Sequence, residues 1–146
     1  MFSKILLPVD LSEPSRLACE YAINLARVFD SRIIVLHVID ESVTEAFSMS
    51  GLEFENFRET SVGRAREALD AFVEENFRGF ENYDVLLEMG NPPEVIIETA
   101  EKKRVSLIVM ASHGRTGIER VLFGSVAEKV VRLAPCPVFT VRERKS

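Results

Sequence analysis

The sequence predicts an α/β fold built around a five-stranded parallel sheet with helices on both faces. Short apolar runs, as expected for strands buried on both faces, alternate with longer segments whose apolar residues recur at helical spacing. Strands separated by helices pair in parallel and are joined by right-handed crossovers. With 146 residues, 47% of them apolar, the chain is expected to form one domain over 1–146.

The individual elements follow from the same patterns. The first helix is predicted to begin after Ser12, which suits an N-cap, with Glu13 and Pro14 in its first turn. Its core-facing side is expected to comprise Ala18, Tyr21, Ala22, Leu25 and Phe29. Strands are predicted at 3–9, 32–39, 83–89, 105–111 and 136–141, and further helices at 53–77, 93–103 and 124–134. The polar stretch 40–52 is predicted to be a mobile connection.

Charge and composition exclude several classes of function. The net charge is −5, and the one dense basic cluster is the tail 142–146, so neither nucleic acid nor an anionic membrane is an expected partner. No apolar run approaches the roughly 20 residues of a membrane span, and the run at 5–9 is too short for a signal peptide. Cys19 and Cys136 suit core positions in a reducing compartment. A cytoplasmic location is therefore expected.

The last predicted strand carries a sign of its place in the sheet. Pro137 lacks a backbone N–H and would remove one hydrogen bond from a central strand, which places this strand at an edge. An edge strand that bears Val138, Phe139 and Val141 also needs protection from unwanted pairing. A homodimer formed through residues 136–141 would supply that protection.

The connection at 111–125 is the most unusual stretch of the chain. Connections between a strand and a helix usually take about 2–6 residues, and this one is much longer and contains Gly114 and Gly117. Ligands of open parallel sheets bind at the carboxyl ends of strands, where the strand order reverses. The ends of the first and fourth strands, at 8–10 and 110–114, face one crevice if these strands are neighbours.

The helix start at Gly124 and Ser125 is suited to an anion. Free N–H groups and the positive end of the helix dipole favour phosphate, and glycine lets phosphate oxygens approach the backbone. Gly114 permits the backbone turns that build a nest of amides, and Arg115 would add positive charge. Asp10, at the end of the first strand, suits ribose hydroxyls or a metal ion bound to phosphates. The pattern indicates a nucleotide.

Each of these features also has a purely structural interpretation, and the residues alone leave it open. Gly124 and Ser125 serve equally well as a helix cap, and Asp10 as a cap of the first helix. His113 is expected to be an exposed loop residue and His37 a satisfied group at a strand end. A hydrolytic triad of Asp10, His113 and Ser125 is disfavoured because the chain has no Gly-x-Ser-x-Gly elbow there. The Walker A and Gly-x-Gly-x-x-Gly motifs are also absent.

Three stretches give the chain a resemblance to a known family. They are KILLPVDLSEPS (4–15), LHVID (36–40) and VMASHGRTGIERVLFGSVAEKVVRLAPCPVFTV (109–141). Together they resemble the universal stress protein family over essentially the whole chain. The resemblance implies a Rossmann-like fold of the adenine-nucleotide α-hydrolase-like type, with strand order 3-2-1-4-5. It also implies dimerisation through the fifth strand, in agreement with the edge position inferred from Pro137.

One branch of that family binds ATP through the pattern Gly-x2-Gly-x9-Gly-Ser/Thr. The matching positions are Ala111, Gly114, Gly124 and Ser125, with residues 115–123 as the spacer. The pattern is therefore complete except for its first glycine. Alanine at position 111 costs little if the backbone φ there is negative, and it is strained if φ is positive.

The resemblance also implies a role for each residue around the crevice. Pro8, Val9 and Asp10 are expected to line the adenine and ribose end, and Val38 and Met110 to touch adenine. Ser112, His113, Gly114 and Arg115 are expected along the path from ribose to phosphate, and Gly124, Ser125 and Val126 at the phosphates. Asp10 is also the candidate Mg²⁺ ligand. Val9, Val38 and Met110 are equally compatible with simple core positions.

Three functions compete for this pattern. The first is an ATP-binding stress module, with Mg²⁺ and slow hydrolysis at most, that acts as a switch by ordering 40–52 and 111–123. The second is a dimeric interaction module that does not bind nucleotide, for which Ala111 is the main support. The third is an adenylating or pyrophosphatase enzyme of a related fold. It is disfavoured because the chain reads DLSEPS (10–15), not Ser-Gly-Gly-x-Asp-Ser, after the first strand.

Overall fold

The computed structural model describes residues 1–42, 54–113 and 123–143, with the backbone alone for 54–58. The strands are β1 (Lys4–Pro8), β2 (Arg32–Asp40), β3 (Tyr83–Gly90), β4 (Leu107–Ala111) and β5 (Val138–Val141). The helices in these ranges are α1 (Glu13–Phe29), α2 (Phe54–Asn76), α3 (Pro92–Lys102) and α4 (Ser125–Leu133). Every predicted element is present. The predicted connection 40–52 is wrong at its start, since Asp40 ends β2 and residues 41 and 42 are helical. Its remainder, and most of the spacer 115–123, lie outside the described residues.

The strands form one parallel sheet in the order β3-β2-β1-β4-β5, which confirms the expected arrangement. β1 lies between β2 and β4, with Leu6 opposite both Ile34 and Ile108. The strand order therefore reverses at β1, and the helices that follow β1 and β4 pack on opposite faces of the sheet. A crevice opens between such strands at their carboxyl ends.

Two apolar cores cover the two faces of the sheet. Leu7 and Val35 belong to the core under α1 and α2, whereas their neighbours Leu6 and Leu36 belong to the core under α3 and α4. Successive side chains of a strand point to opposite faces. All four of these side chains are fully buried, which explains why the strands appear in the sequence as continuous apolar runs.

The orientation of α1 differs in part from the sequence prediction. Ala18 and Ala22 are buried as expected, but Tyr21 and Phe29 are 45% and 37% exposed. The buried face is Ser15, Ala18, Cys19, Ala22, Ile23 and Ala26. Small side chains on this face let the helix approach the sheet closely, whereas the aromatic rings lie at its margins. Tyr21 packs there against Phe139, with ring centroids 5.9 Å apart.

β5 lies at one edge of the sheet, as Pro137 predicted. The strand begins at Val138, two residues later than expected, and Pro137 precedes it. The carbonyl of Pro137 still accepts a hydrogen bond from the amide of Ile108 at 3.0 Å. Phe139 is 38% exposed on this edge strand. Across the described ranges, none of the helices is long and apolar enough to cross a membrane.

Candidate functional site

A crevice of about 510 Å³ lies at the carboxyl ends of β1, β2 and β4. Its wall includes every described residue that the sequence placed at a nucleotide site: Pro8, Val9, Asp10, Val38, Met110, Ala111, Ser112, His113, Gly124, Ser125 and Val126. The two other predicted residues, Gly114 and Arg115, lie outside the described residues. Topology thus brings together segments that are about a hundred positions apart in the sequence.

One part of the crevice wall is apolar. Val38 and Met110, from the ends of β2 and β4, belong to the same core as Ile96 of α3. All three line the crevice, and Met110 and Ile96 are 5% and 3% exposed. A flat ring system would find van der Waals contact against this wall. Ligand pockets are typically apolar in this way, with a few polar groups that fix the orientation of the ligand.

Asp10 follows β1 and is tied to the start of α1. Its Oδ1 accepts hydrogen bonds from the Ser12 amide at 3.1 Å, from the Ser12 hydroxyl, and from the Ser15 hydroxyl at 2.6 Å. Ser15 Oγ in turn accepts from the Asp10 amide at 2.9 Å. Ser12 is itself the N-cap of α1. These contacts fix the carboxylate at the crevice wall and give it a structural role at the helix start.

His37 is held against the end of β1. Its Nδ1 lies 2.7 Å from the carbonyl oxygen of Val9, and the Val9 amide donates to the carbonyl of Leu36 at 2.8 Å. His37 is half-buried and is one of the residues that line the crevice. His37 was expected to be a strand-end residue with its hydrogen-bonding capacity satisfied, and its Nδ1 has such a partner. The sequence did not indicate that His37 also lines the crevice.

The start of α4 presents backbone N–H groups to the crevice. Gly124 is the N-cap, and among the described residues no side chain caps this helix, whereas α1 and α3 are capped by Ser12 and Asn91. The amide of Gly124 is already used, since it donates to the carbonyl of Ser112 at 2.7 Å. The next three amides, from residues 125–127, belong to the first helical turn and have no acceptor within the helix. Residues 124–127 all line the crevice.

Gly124 does not need to be glycine for its backbone conformation. Its φ and ψ are −69° and 166°, in the extended region that any residue adopts. The absence of a side chain therefore matters for space in front of the amides. Space is what an approaching phosphate needs at a helix N-terminus.

Ala111 ends β4, opposite Val141 of β5. Among the described residues, the non-glycine residues with positive φ are Phe2, Leu11, Asp30 and Arg104. Ala111 is not one of them. The single departure from the glycine pattern is therefore unstrained, and Ala111 forms part of the crevice wall.

Ser112 connects β4, β5 and α4. It is 3% exposed, and its amide donates to the carbonyl of Val141 at 2.9 Å while its own carbonyl accepts from Gly124. The Ser112 hydroxyl lies 3.2 Å from Nδ1 of His113. The backbone of this one residue thus links the end of β4 to β5 and to the start of α4.

A metal ion would need ligands beyond those of the described chain. Within residues 1–42, 54–113 and 123–143, no three His, Cys, Asp or Glu side chains come together as a metal-binding group. Mg²⁺ commonly takes one carboxylate together with the phosphate oxygens of a substrate. Asp10 lines the crevice and is compatible with that arrangement, in which the nucleotide would provide most of the ligands.

Several residues of the wall were not predicted from the sequence, notably Ser15, His37, Pro92, Ile96 and Ala127. Ser15 and Ala127 lie on the first turns of helices that follow predicted strand ends. Helix geometry alone would have added them to the site. Pro92 and Ile96 come from α3, and nothing in their own neighbourhood of the sequence points to the crevice.

The fold and the crevice define a class of protein: a doubly wound α/β protein with its binding crevice at the switch point between β1 and β4. Comparison with known protein families identifies the family within this class. The model of the universal stress protein family matches residues 1–142. The chain belongs to the universal stress protein family.

Curated relatives align over nearly the whole chain. The universal stress protein MJ0531 of Methanocaldococcus jannaschii is 38% identical, with 99% of this chain and 85% of that protein covered. MJ0577 of the same organism is 32% identical, with 100% and 98% covered. YxiE of Bacillus subtilis is 30% identical, with 97% and 100% covered.

Solved structures agree on the fold. The structure of MJ0577 superposes with a TM-score of 0.86 at 28% identity, with 100% of this chain and 99% of that chain covered. A universal stress protein of Archaeoglobus fulgidus in complex with dAMP gives a TM-score of 0.67 at 22% identity, with 96% and 98% covered. A universal stress protein in complex with cAMP gives 0.64 at 20% identity, with 95% of each chain covered.

Proposed function

We propose that this chain binds an adenine nucleotide, ATP with Mg²⁺ in particular, and acts as a nucleotide-dependent stress-response module with slow hydrolysis at most. The observation that carries the proposal is the uncapped start of α4, whose free amides line the same crevice as the apolar wall at Val38 and Met110. Amides suit phosphates and an apolar wall suits a base. Members of the family solved with dAMP and cAMP support the choice of adenine.

The phosphates are assigned to the first turn of α4. The amides of Ser125, Val126 and Ala127 point out of the helix start, and the exposed hydroxyl of Ser125 adds a further donor. Gly124 contributes room, because its own amide is bonded to Ser112. Ala111 is compatible with this assignment, since the alanine is unstrained. Gly114 and Arg115 remain proposed phosphate-path residues, as do Ser112 and His113.

The base and ribose are assigned to the other end of the crevice. Val9, Val38 and Met110 are proposed to contact adenine, with Pro8 and Asp10 beside the ribose. Asp10 is also the proposed protein ligand of Mg²⁺, whose other ligands would be phosphate oxygens and water. When bound, the ion would neutralise phosphate charge. Asp10 Oδ1 is engaged by Ser12 and Ser15, so this oxygen anchors α1 and does not activate water, which favours slow hydrolysis.

A homodimer through residues 136–141 is proposed as the functional unit, in one cytoplasmic domain over 1–146. The support is the edge position of β5 and the aromatic pair Tyr21 and Phe139, both partly exposed beside that edge. An unpaired edge with exposed apolar side chains is the kind of surface that a second copy covers.

The decisive experiment is calorimetric titration of nucleotide-stripped protein with ATP and Mg²⁺. Gly124→Asp should lose binding at least a hundredfold, because a carboxylate in front of the amides repels phosphate and occupies its place. Aspartate is favoured at an N-cap, so the variant should fold. Gly63→Asp is the matched control, because Gly63 is exposed on α2 with open space at its Cβ position. It should bind as the wild type does.

Failure of the folded wild type to bind ATP, ADP or AMP would overturn this proposal. The alternative function, a dimeric interaction module without nucleotide, would then be favoured. The exposed pair Tyr21 and Phe139 is the observation that supports it.

A further inference from the structure

We infer that the site selects ribonucleotides over deoxyribonucleotides, and that Nε2 of His37 is the acceptor for a ribose hydroxyl. The inference rests on the proposed function, since it concerns the sugar of the same nucleotide. It deepens that proposal by naming the class of ligand, a ribonucleoside phosphate with an intact hydroxyl at the position that His37 faces.

The hydrogen bond to Val9 fixes the tautomer of His37. A carbonyl oxygen only accepts, so the contact of 2.7 Å requires that Nδ1 carries the hydrogen. In the neutral ring, Nε2 then has a lone pair and no hydrogen. In the neutral ring, Nε2 is therefore a hydrogen-bond acceptor. The ligand group that would bind it is a donor, such as a hydroxyl group.

Nε2 is available to a ligand in the crevice. Among the described residues, no side chain or backbone group makes a hydrogen bond to it, and Nδ1 is the ring atom with a protein partner. The buried side-chain polar atom that lacks a partner in the described part of the chain is Arg16 Nε. Nε2 is thus accessible, and His37 is one of the residues of the crevice wall.

The position of His37 separates it from the proposed base contacts. Leu36 and Val38 belong to the core under α3 and α4, whereas Val35 belongs to the core under α1 and α2. Alternation along β2 puts His37 on the side of Val35. Asp10 directly follows Val9, the residue that His37 binds, and Asp40, three positions beyond His37, also lines the crevice. His37 is therefore grouped with the acceptor already assigned to ribose.

The two acceptors are not equivalent. Oδ1 of Asp10 already accepts three hydrogen bonds, two from Ser12 and one from Ser15. An oxygen with its lone pairs engaged is a poor acceptor for a further hydroxyl. Nε2 of His37 has no protein donor in the described part of the chain. Nε2 of His37 therefore offers a ribose hydroxyl an acceptor in addition to the Asp10 carboxylate, whose Oδ1 is already engaged.

The test compares ATP with 2′-deoxy-ATP and 3′-deoxy-ATP, each with Mg²⁺, by calorimetry on nucleotide-stripped protein. The wild type is expected to bind ATP about three- to tenfold more tightly than at least one of the two analogues, the effect of one hydrogen bond. His37→Asn places its amide N–H near the position of Nδ1 and lacks an acceptor at that of Nε2. This variant should keep the affinity for the deoxy analogue and lose the preference.

His37→Gln is the complementary variant, because its amide oxygen lies near the position of Nε2. It should recover part of the preference. Equal affinity of the wild type for all three nucleotides would overturn the inference and leave the proposed function standing, and this measurement needs no variant to fold. A preference that survives in His37→Asn would also overturn it. Absence of binding by any of the three nucleotides would overturn the proposed function itself.

Discussion

The carbonyl of Ser112 accepts a hydrogen bond of 2.7 Å from the amide of Gly124. The contact spans the ends of a long connection and fixes where α4 begins relative to β4. It also removes the amide of Gly124 from any role as an anion donor. If the proposed function holds, the donors to a phosphate would be the amides of residues 125–127, and glycine at 124 would leave room in front of them.

Gly124→Asp should stabilise the protein in the absence of nucleotide. The backbone at 124 is extended, as N-cap residues prefer, and aspartate adds both a capping oxygen and a negative charge at the positive end of α4. The expected gain in the free energy of unfolding is about 0.5–1 kcal/mol, measured by urea denaturation. Gly63→Asp adds the same charge on an exposed helical face and should not gain this amount. Lower stability of Gly124→Asp would mean that a neighbouring group fills the space.

Ala111→Gly should not improve nucleotide affinity. The backbone at 111 has no positive φ that glycine would relieve, and glycine within a strand costs about 0.5–1 kcal/mol of stability. We expect the variant to bind ATP with an affinity within about threefold of that of the wild type, a difference smaller than the contribution of a typical hydrogen bond. Calorimetry beside a urea melt measures both effects. A tenfold rise in affinity would show that the methyl group crowds the ligand.

Ser15→Ala should destabilise the protein more than Ser12→Ala. Ser15 is 3% exposed and both donates to and accepts from Asp10, so its loss removes the acceptor of the Asp10 amide and one donor to Oδ1, at a cost of about 1–3 kcal/mol. Ser12→Ala removes an N-cap, which costs about 1 kcal/mol. Urea denaturation of the two variants gives the order. The reverse order would mean that water replaces Ser15.

Cys19 should make the protein less stable at alkaline pH. Burial raises the pKa of the Cys19 thiol to about 12, from its usual value of about 9. The unfolded chain releases this proton above about pH 9 while the folded chain keeps it until about pH 12, so the free energy of unfolding falls as pH rises through that window. Urea melts at about pH 8 and about pH 10.5 should show a smaller decline for Cys19→Ala than for the wild type.

A thiol reagent provides an independent check on the same residue. Burial also raises the pKa of the half-buried Cys136 thiol, but that sulfur has partial access to solvent. Cys136 should therefore react first in the native protein, and Cys19 only on unfolding, since the thiolate is the reactive form. Equal rates for the two thiols would contradict the burial of Cys19.

The sequence was sufficient for the fold class, because strands buried on both faces and helices with one apolar face leave distinct patterns. The order of the strands came from the family resemblance. Pro137 alone placed a strand at an edge on physical grounds. The face of α1 was partly wrong, because periodicity does not reveal that small residues such as Ala18 and Ala22 pack on the sheet while Tyr21 stays at the margin.

The candidate site was predictable where its residues end strands or begin helices. Asp10, Met110 and Gly124 are of this kind. The contact between His37 and Val9 was not predictable, because it joins neighbouring strands through a side chain whose partner depends on sheet register. The sequence also could not show that the amide of Gly124 donates to the carbonyl of Ser112, because that contact depends on the path of the connection between them.

The missing cap of α4 has a thermodynamic consequence. Of the helices whose starts the structure describes, α1 and α3 carry a capping side chain and α4 does not. A bound phosphate would take the place of that cap, so that ligand binding and the fraying equilibrium of α4 would be thermodynamically linked. Amide hydrogen exchange in residues 125–133 would then slow as the ligand concentration rises, because the nucleotide would supply the N-terminal cap that α4 lacks.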